Sequence, residues 1–176
     1  MNFNLIKIRL KIMFYLIFGK ISKKTAKIEL PNHKNVKDVV LFFPQDERAF
    51  RIAMYSFREF DFFNKNLNFY FVINQKFEHL IKLNAPNLIF MRYHRSKISF
   101  CNLKDKDILI NENKDMLIDL NTNFNLELCK LIDSINCNYK IGFKNQYADY
   151  FFNLQLDTFG DDITENSFKR IQKILM

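Results

Sequence analysis

Glycine is scarce in this chain, 3 residues in 176, against a usual share of about 7%. Loops that cradle phosphates need glycine where backbone must approach the ligand, and neither G-x-G-x-x-G nor a Walker A pattern occurs. Cysteine is equally scarce: Cys101, Cys129 and Cys137 are odd in number and widely spaced. They read as reduced, partly buried thiols of a cytosolic protein rather than as a disulfide framework. His33, His79 and His94 lie in unrelated segments with no Cys or carboxylate at metal-ligand spacing, so neither a metal site nor a cofactor is expected. No Ser-His-Asp or Cys-His arrangement can be assembled. Long apolar runs are missing from the N-terminal segment too: Ile12 to Phe18 is unbroken for only seven residues, where a membrane-crossing helix needs about 20.

What is present is enough to build a core. Hydrophobic residues make up 48% of the chain and 21 are Phe, which excludes disorder as a description of the whole. At 176 residues there is room for one domain with a short appendage. The joint excess of Phe, Lys, Asn and Ile has the look of an AT-rich coding sequence, so a single Phe or Lys carries little functional weight.

The formal charge of +8 is unevenly placed. Residues 1–34 hold eight bases (Lys7, Arg9, Lys11, Lys20, Lys23, Lys24, Lys27, Lys34) against Glu29, a net +7, which leaves +1 for the remainder. A nearly neutral body argues against a broad nucleic-acid footprint, and the basic, apolar leader points to an anionic membrane surface or a partner. The leader has no small-x-small cleavage site after its apolar run and is followed by Lys20, Lys23 and Lys24, so it does not read as a signal peptide. Two readings of residues 1–20 stay open. One is a monotopic amphipathic helix lying on lipid through Lys7, Arg9, Lys11, Lys20, Lys23 and Lys24; the other is a helix whose apolar face packs on the domain. Residues 21–35 read as a polar linker, and 36–176 as the domain.

From Val36 short apolar runs alternate with helical patterns, the signature of a mostly parallel sheet covered by helices. Strands are expected at 39–43, 68–73, 87–91, 115–120, 139–143 and 150–156. Helices are expected at 46–64, with Ala49, Ala53, Phe57 and Phe60 inward, at 75–83, and at 124–136 with Asn121, Thr122 and Asn123 as cap residues. Asp162 and Glu165 form a capping-box pattern ahead of a last helix that buries Phe168, Ile171 and Leu175. Residues 93–106 show no clear period.

Asp46 and Asp119 fall at or just beyond the carboxyl ends of predicted parallel strands, where open α/β sheets place their ligands. Each could serve as a general base or accept a hydroxyl, and each could equally be a helix or loop cap. Arg92, Arg95 and Lys97 form one short basic patch that could grip phosphate or a stacked base.

Asp115-Met-Leu-Ile-Asp-Leu-Asn-Thr-Asn-Phe-Asn-Leu126, followed after a helix by Tyr139-Lys-Ile-Gly-Phe143, resembles the N-terminal half of glycosyltransferase family 9, the heptosyltransferases of lipopolysaccharide core assembly. The resemblance covers about residues 36–160. It implies an acceptor-side, Rossmann-like domain of bacterial cell-envelope glycan assembly; the basic, apolar leader adds the expectation of a cytoplasmic protein, peripheral on the inner face of the cytoplasmic membrane. The family's Gly-Asp turn stands here as Phe43-Pro44-Gln45-Asp46, so the resemblance assigns the catalytic base to Asp46 and acceptor contacts to Gln45, Asp119, Asn121 and Asn123. The chain ends at Met176, where the family's donor-binding half would begin. The expectation is therefore a binding or accessory protein, not an active transferase on its own. The enzyme alternative needs a donor-domain protein or a homodimer to supply the missing half. A small nucleic-acid-binding protein is the third reading. The expected fold is α/β: a single three-layer Rossmann-like domain with a mainly parallel sheet, preceded by a basic amphipathic N-terminal helix.

Overall fold

Val39, Val40, Leu41 and Phe42 are all fully buried, although they follow one another along a single strand. Only a strand covered on both faces buries consecutive side chains, and this one, β1 (Asp38–Phe42), lies in the middle of a seven-stranded sheet. The computed structural model describes residues 3–24, 36–63, 67–84, 87–94, 97–157 and 165–175, with side chains from Ile6 onward. The other strands are β2 (Asn68–Asn74), β3 (Asn87–His94), β4 (Lys97–Phe100), β5 (Lys114–Asp119), β6 (Cys137–Phe143) and β7 (Leu154–Leu156). Their spatial order is β4-β3-β2-β1-β5-β6-β7, and every neighbouring pair is parallel except β3 with β4. Without the antiparallel edge strand β4, this is the doubly wound order of a Rossmann-like fold. The direction of winding reverses between β1 and β5, where Phe42 lies beside Asp119.

Helices cover both faces. α2 (Glu47–Ser56) and α5 (Glu165–Leu175) lie on one side, over a core that includes Phe43, Phe50, Phe57, Phe71, Phe168 and Ile171. The phenylalanines there are structural: Phe50 stacks on Phe77 at 4.8 Å and Phe62 meets the edges of Phe69 and Phe71 at 5.0 and 4.7 Å. Such pairs add about 0.5–1.5 kcal/mol each beyond their buried area. On the other side lie α1 (Phe3–Ile17), α3 (Leu103–Ile110) and α4 (Leu126–Ser134), over Val40, Phe42, Leu117 and Ile132. The result is the expected three-layer α/β architecture.

Several boundaries differ from the sequence reading. The helix expected at 46–64 ends at Ser56 and continues only as a turn, with Asp46 as its N-cap. Gln75–Leu80 is a 3-10 helix. The aperiodic segment 93–106 contains the end of β3, all of β4 and the start of α3. The cap of α4 is Asn125, whose Oδ1 accepts from the backbone N–H of Glu127 and Leu128 at 3.0 and 3.2 Å, rather than residues 121–123. Of the segment 150–156 only Leu154–Leu156 pairs as a strand; Phe151 and Phe152 turn into the core instead. Asp162 lies outside the described residues, while Phe168, Ile171 and Leu175 are buried on α5 as expected.

β6 carries a close approach that fixes its sequence. A Cβ on Gly142 would sit 2.6 Å from the ring of Phe152, itself buried in the core. Gly142→Ala should therefore destabilise the protein by about 1–3 kcal/mol through overpacking, seen as a lower urea midpoint. An unchanged midpoint would show that the ring has room to move.

Candidate functional site

The crevice between the carboxyl ends of β1 and β5 is where this topology leaves room for a ligand, because the connections leave the sheet there in opposite directions. After Phe42 the chain keeps to the sheet for one more residue, with Phe43 N–H donating to the Val72 carbonyl at 2.9 Å. Buried Pro44, which has no N–H to offer a ladder, then turns the chain away. Gln45 follows, and its backbone N–H donates to Asn121 Oδ1 at 2.8 Å. Asn121 in turn donates from its backbone N–H and from Nδ2 to Asp119 Oδ1, at 3.0 and 2.7 Å. Gln45 Oε1 accepts from Asn125 Nδ2 at 2.8 Å. Asp119, Asn121, Gln45 and Asn125 thus form one chain of hydrogen bonds across the crevice.

Asp119 is 4% exposed. Burial pushes its carboxyl up to about 7 from the usual 3.8, against the opposing pull of the two Asn121 bonds. The same burial raises the Tyr93 phenol, with the Asp119 charge adding to the shift and Gln45 opposing it. It also raises the Cys129 thiol, again with the Asp119 charge as the second cause. Cys137 is held up at about 12 by burial. Both thiols are protonated and unreactive at neutral pH. Cys101 is exposed rather than partly buried and donates to Gln75 Oε1 at 3.4 Å.

Two clefts open on this network. The smaller, about 270 Å³, is lined by Pro44, Gln45, Asp46, Asn121, Asn123 and Asn125 among others. The larger, about 440 Å³, shares Gln45, Phe124 and Asn125 with it and extends under α1, to Lys7 and Lys11, and to Tyr93 and Lys97 at the β3–β4 edge. The expected contact residues Gln45, Asn121 and Asn123 therefore come together on one wall. Asp119 lies beneath them and holds Asn121 in place. Asp46 also lines the smaller cleft, but its Oδ1 accepts from the Ala49 backbone N–H at 3.0 Å and so caps α2.

No protein-family model, curated protein or solved structure matches the chain. The site's chemistry therefore rests on its own geometry. It is rich in amide groups that can both donate and accept, with one buried carboxyl near neutrality. Among the described residues no three His, Cys, Asp or Glu side chains gather closely enough to hold a metal ion.

The leader helix packs on the domain, as the second of the two readings expects. α1 packs on the domain through Ile8, Ile12 and Tyr15, spaced i, i+4, i+7. Lys11 pairs with Glu127 at 3.6 Å, and Tyr15 accepts a hydrogen bond from Lys130 at 3.1 Å. Gly19, at φ +64°, ends the helix: its N–H donates to the Leu16 carbonyl and that of Lys20 to the Tyr15 carbonyl. Ile21 is buried and Lys24 pairs with Asp133 at 2.7 Å, so the chain stays attached to the domain as far as Lys24. The remainder of the linker, residues 25–35, lies outside the described residues. The opposite stripe of α1, Leu10, Met13, Phe14 and Ile17, is exposed, Ile17 to 70%. Of the six basic residues expected at a membrane, Lys11 and Lys24 are paired with the domain, while Arg9, Lys20 and Lys23 are exposed and Lys7 lines the larger cleft. No helix among the described residues is long and apolar enough to cross a membrane.

The basic patch expected near residue 95 is divided. Arg92 donates to Gln75 Oε1 at 2.6 Å, Lys97 lines the larger cleft, and Arg95 lies outside the described residues. Tyr93, Phe124 and Asn125 are the cleft residues that sequence reasoning missed. Only Asn125 carried a signal, as a capping residue directly ahead of the apolar period of α4.

Proposed function

We propose that this chain is a glycosyltransferase-type acceptor-side domain that binds a glycan in the crevice between β1 and β5 and works as an accessory protein at the membrane surface in envelope glycan assembly. The observation that carries the reading is the Asp119–Asn121–Gln45–Asn125 network, which fixes amide groups along the wall of an open cleft at the switch point. Sugar hydroxyls both donate and accept, and amides held by a second layer of bonds meet them without reorganisation. Capping of α2 by Asp46 favours binding over catalysis, because its Oδ1 is already engaged by the Ala49 backbone N–H. The resemblance to the heptosyltransferases supplies the ligand class.

The exposed stripe of α1, flanked by Arg9, Lys20 and Lys23, supports peripheral attachment to an anionic bilayer.

Titration calorimetry with a lipopolysaccharide inner-core oligosaccharide should give saturable binding, weakened at least tenfold by Asn121→Ala. A nucleotide sugar should give none. Absent oligosaccharide binding, or binding indifferent to Asn121, would overturn the reading. Tight nucleotide-sugar binding would favour the transferase alternative with Asp46 as base.

A further inference from the structure

The larger cleft carries more positive charge and more hydrogen-bond donors than a neutral glycan needs. Lys7 and Lys11 reach it from α1 and Lys97 from β4. Its one acidic lining residue, Glu127, is already shared between Lys11 at 3.6 Å and Lys130 at 3.1 Å. Among the described residues Lys7 and Lys97 have no ion-pair partner. Gln45 adds a second sign: its Nε2 is buried beside the Tyr93 hydroxyl but makes no hydrogen bond of normal length, although its Oε1 is satisfied by Asn125. A buried donor left unpaired costs about 1–3 kcal/mol, and a ligand oxygen would remove that cost. Phe124 and Ile98 add apolar lining to the cleft. A cleft of about 440 Å³ falls within the range of small-molecule sites.

We infer that the cleft between α1 and the β3–β4 edge binds a phosphate-bearing organic ligand, with its phosphate on Lys7, Lys97 and Gln45 Nε2 and its organic part against Phe124. Lysine meets phosphate as a point charge, so two lysines on different elements suffice without a glycine-rich loop. The ligand can be a free phosphoester or the head of a membrane lipid, since α1 contributes lysines inward and an apolar stripe outward. This inference goes beyond the glycan reading and does not depend on it.

The test uses the full chain at low ionic strength with inorganic pyrophosphate as the first probe. Saturable binding is expected, weakened at least tenfold by Lys7→Ala/Lys97→Ala and several-fold by Gln45→Leu, which leaves the charge unchanged. Lys82→Ala/Lys173→Ala, which removes two exposed lysines that do not line the cleft, should bind as the parent does. Glycerol phosphate and dihexanoyl phosphatidic acid then distinguish the sources: tighter binding of the lipid identifies a lipid head, and equal binding a free phosphoester. No saturable pyrophosphate binding, or an equal loss in the control pair, would overturn the site. Pyrophosphate binding without oligosaccharide binding would keep this inference and remove the glycan reading; the converse would do the opposite.

Discussion

At pH 8 the Asp119→Asn protein should resist urea better than the parent, and at pH 5 the two should unfold at nearly the same concentration. Asp119 titrates near 7 in the folded chain because burial disfavours its charge, and near 3.9 when unfolded. Between those values the native state keeps a proton that the unfolded state has lost, so stability falls as pH rises from about 4 to about 7 and levels off above that. A shift of about three units corresponds to roughly 4 kcal/mol. The amide recovers only part of this, because its Oδ1 must still accept from Asn121 while its new N–H₂ group needs a partner. A gain of about 2–4 kcal/mol at pH 8 is expected, raising Tm by about 5–10 °C. The pH slope between 4 and 7 should also flatten. Lys140, whose ammonium burial holds below its usual range, is common to both proteins and cancels in the comparison. A variant destabilised equally at both pH values would show that the carboxylate is needed by the fold.

The second large effect separates the two faces of α1. Leu10, Met13, Phe14 and Ile17 are exposed, so changing all four to Ser should leave Tm unchanged. The same change should abolish sedimentation with anionic vesicles. Full burial of such a side chain is worth about 1.5–3 kcal/mol, and partial immersion about 1 kcal/mol. Four together give about 4 kcal/mol, close to a thousandfold loss of partitioning. Reversing Arg9, Lys20 and Lys23 to Glu should also weaken binding, at about 1 kcal/mol for each positive charge removed from the surface. Raised salt should mimic that change, because exposed charges are screened beyond roughly 8 Å at physiological ionic strength. Ile12→Ser should do the reverse: it lies at 3% exposure between α1 and the domain, and its loss should cost about 2–4 kcal/mol of stability. Vesicle binding that survives the fourfold change would remove the membrane role from α1.

The central strands were readable because each is a short run of consecutive apolar residues, as in Val39 to Phe43 and Met116 to Ile118, and doubly covered strands look like that. β4 was not readable: it is an edge strand of four residues that alternates exposed with half-buried positions. Helix α3 was missed for a related reason, since only Leu109 on it is fully buried. At β7 the apolar run misled, because Phe151 and Phe152 enter the core from a turn. Asp46 stands just beyond a predicted strand end and the family resemblance points to Gln45, Asn121 and Asn123; all four line the smaller cleft. The sequence marks Lys97 as part of a basic patch and Lys7 and Lys11 as membrane contacts, but not their meeting with Tyr93 in one cleft, because that depends on how the β3–β4 hairpin and α1 close over the crevice. On α1 itself the sequence shows apolar residues all round. Which stripe faces the domain is decided by the partner surface on α4.

Amide chemical shifts of the full, isotopically labelled chain, followed during titration with the inner-core oligosaccharide, test the glycan-binding claim most directly. The account predicts progressive, saturable shifts at Gln45, Asn121, Asn123 and Asn125, with the Phe168 side of the sheet unmoved. Shifts confined to that opposite face, or none at concentrations that saturate calorimetry, would contradict it.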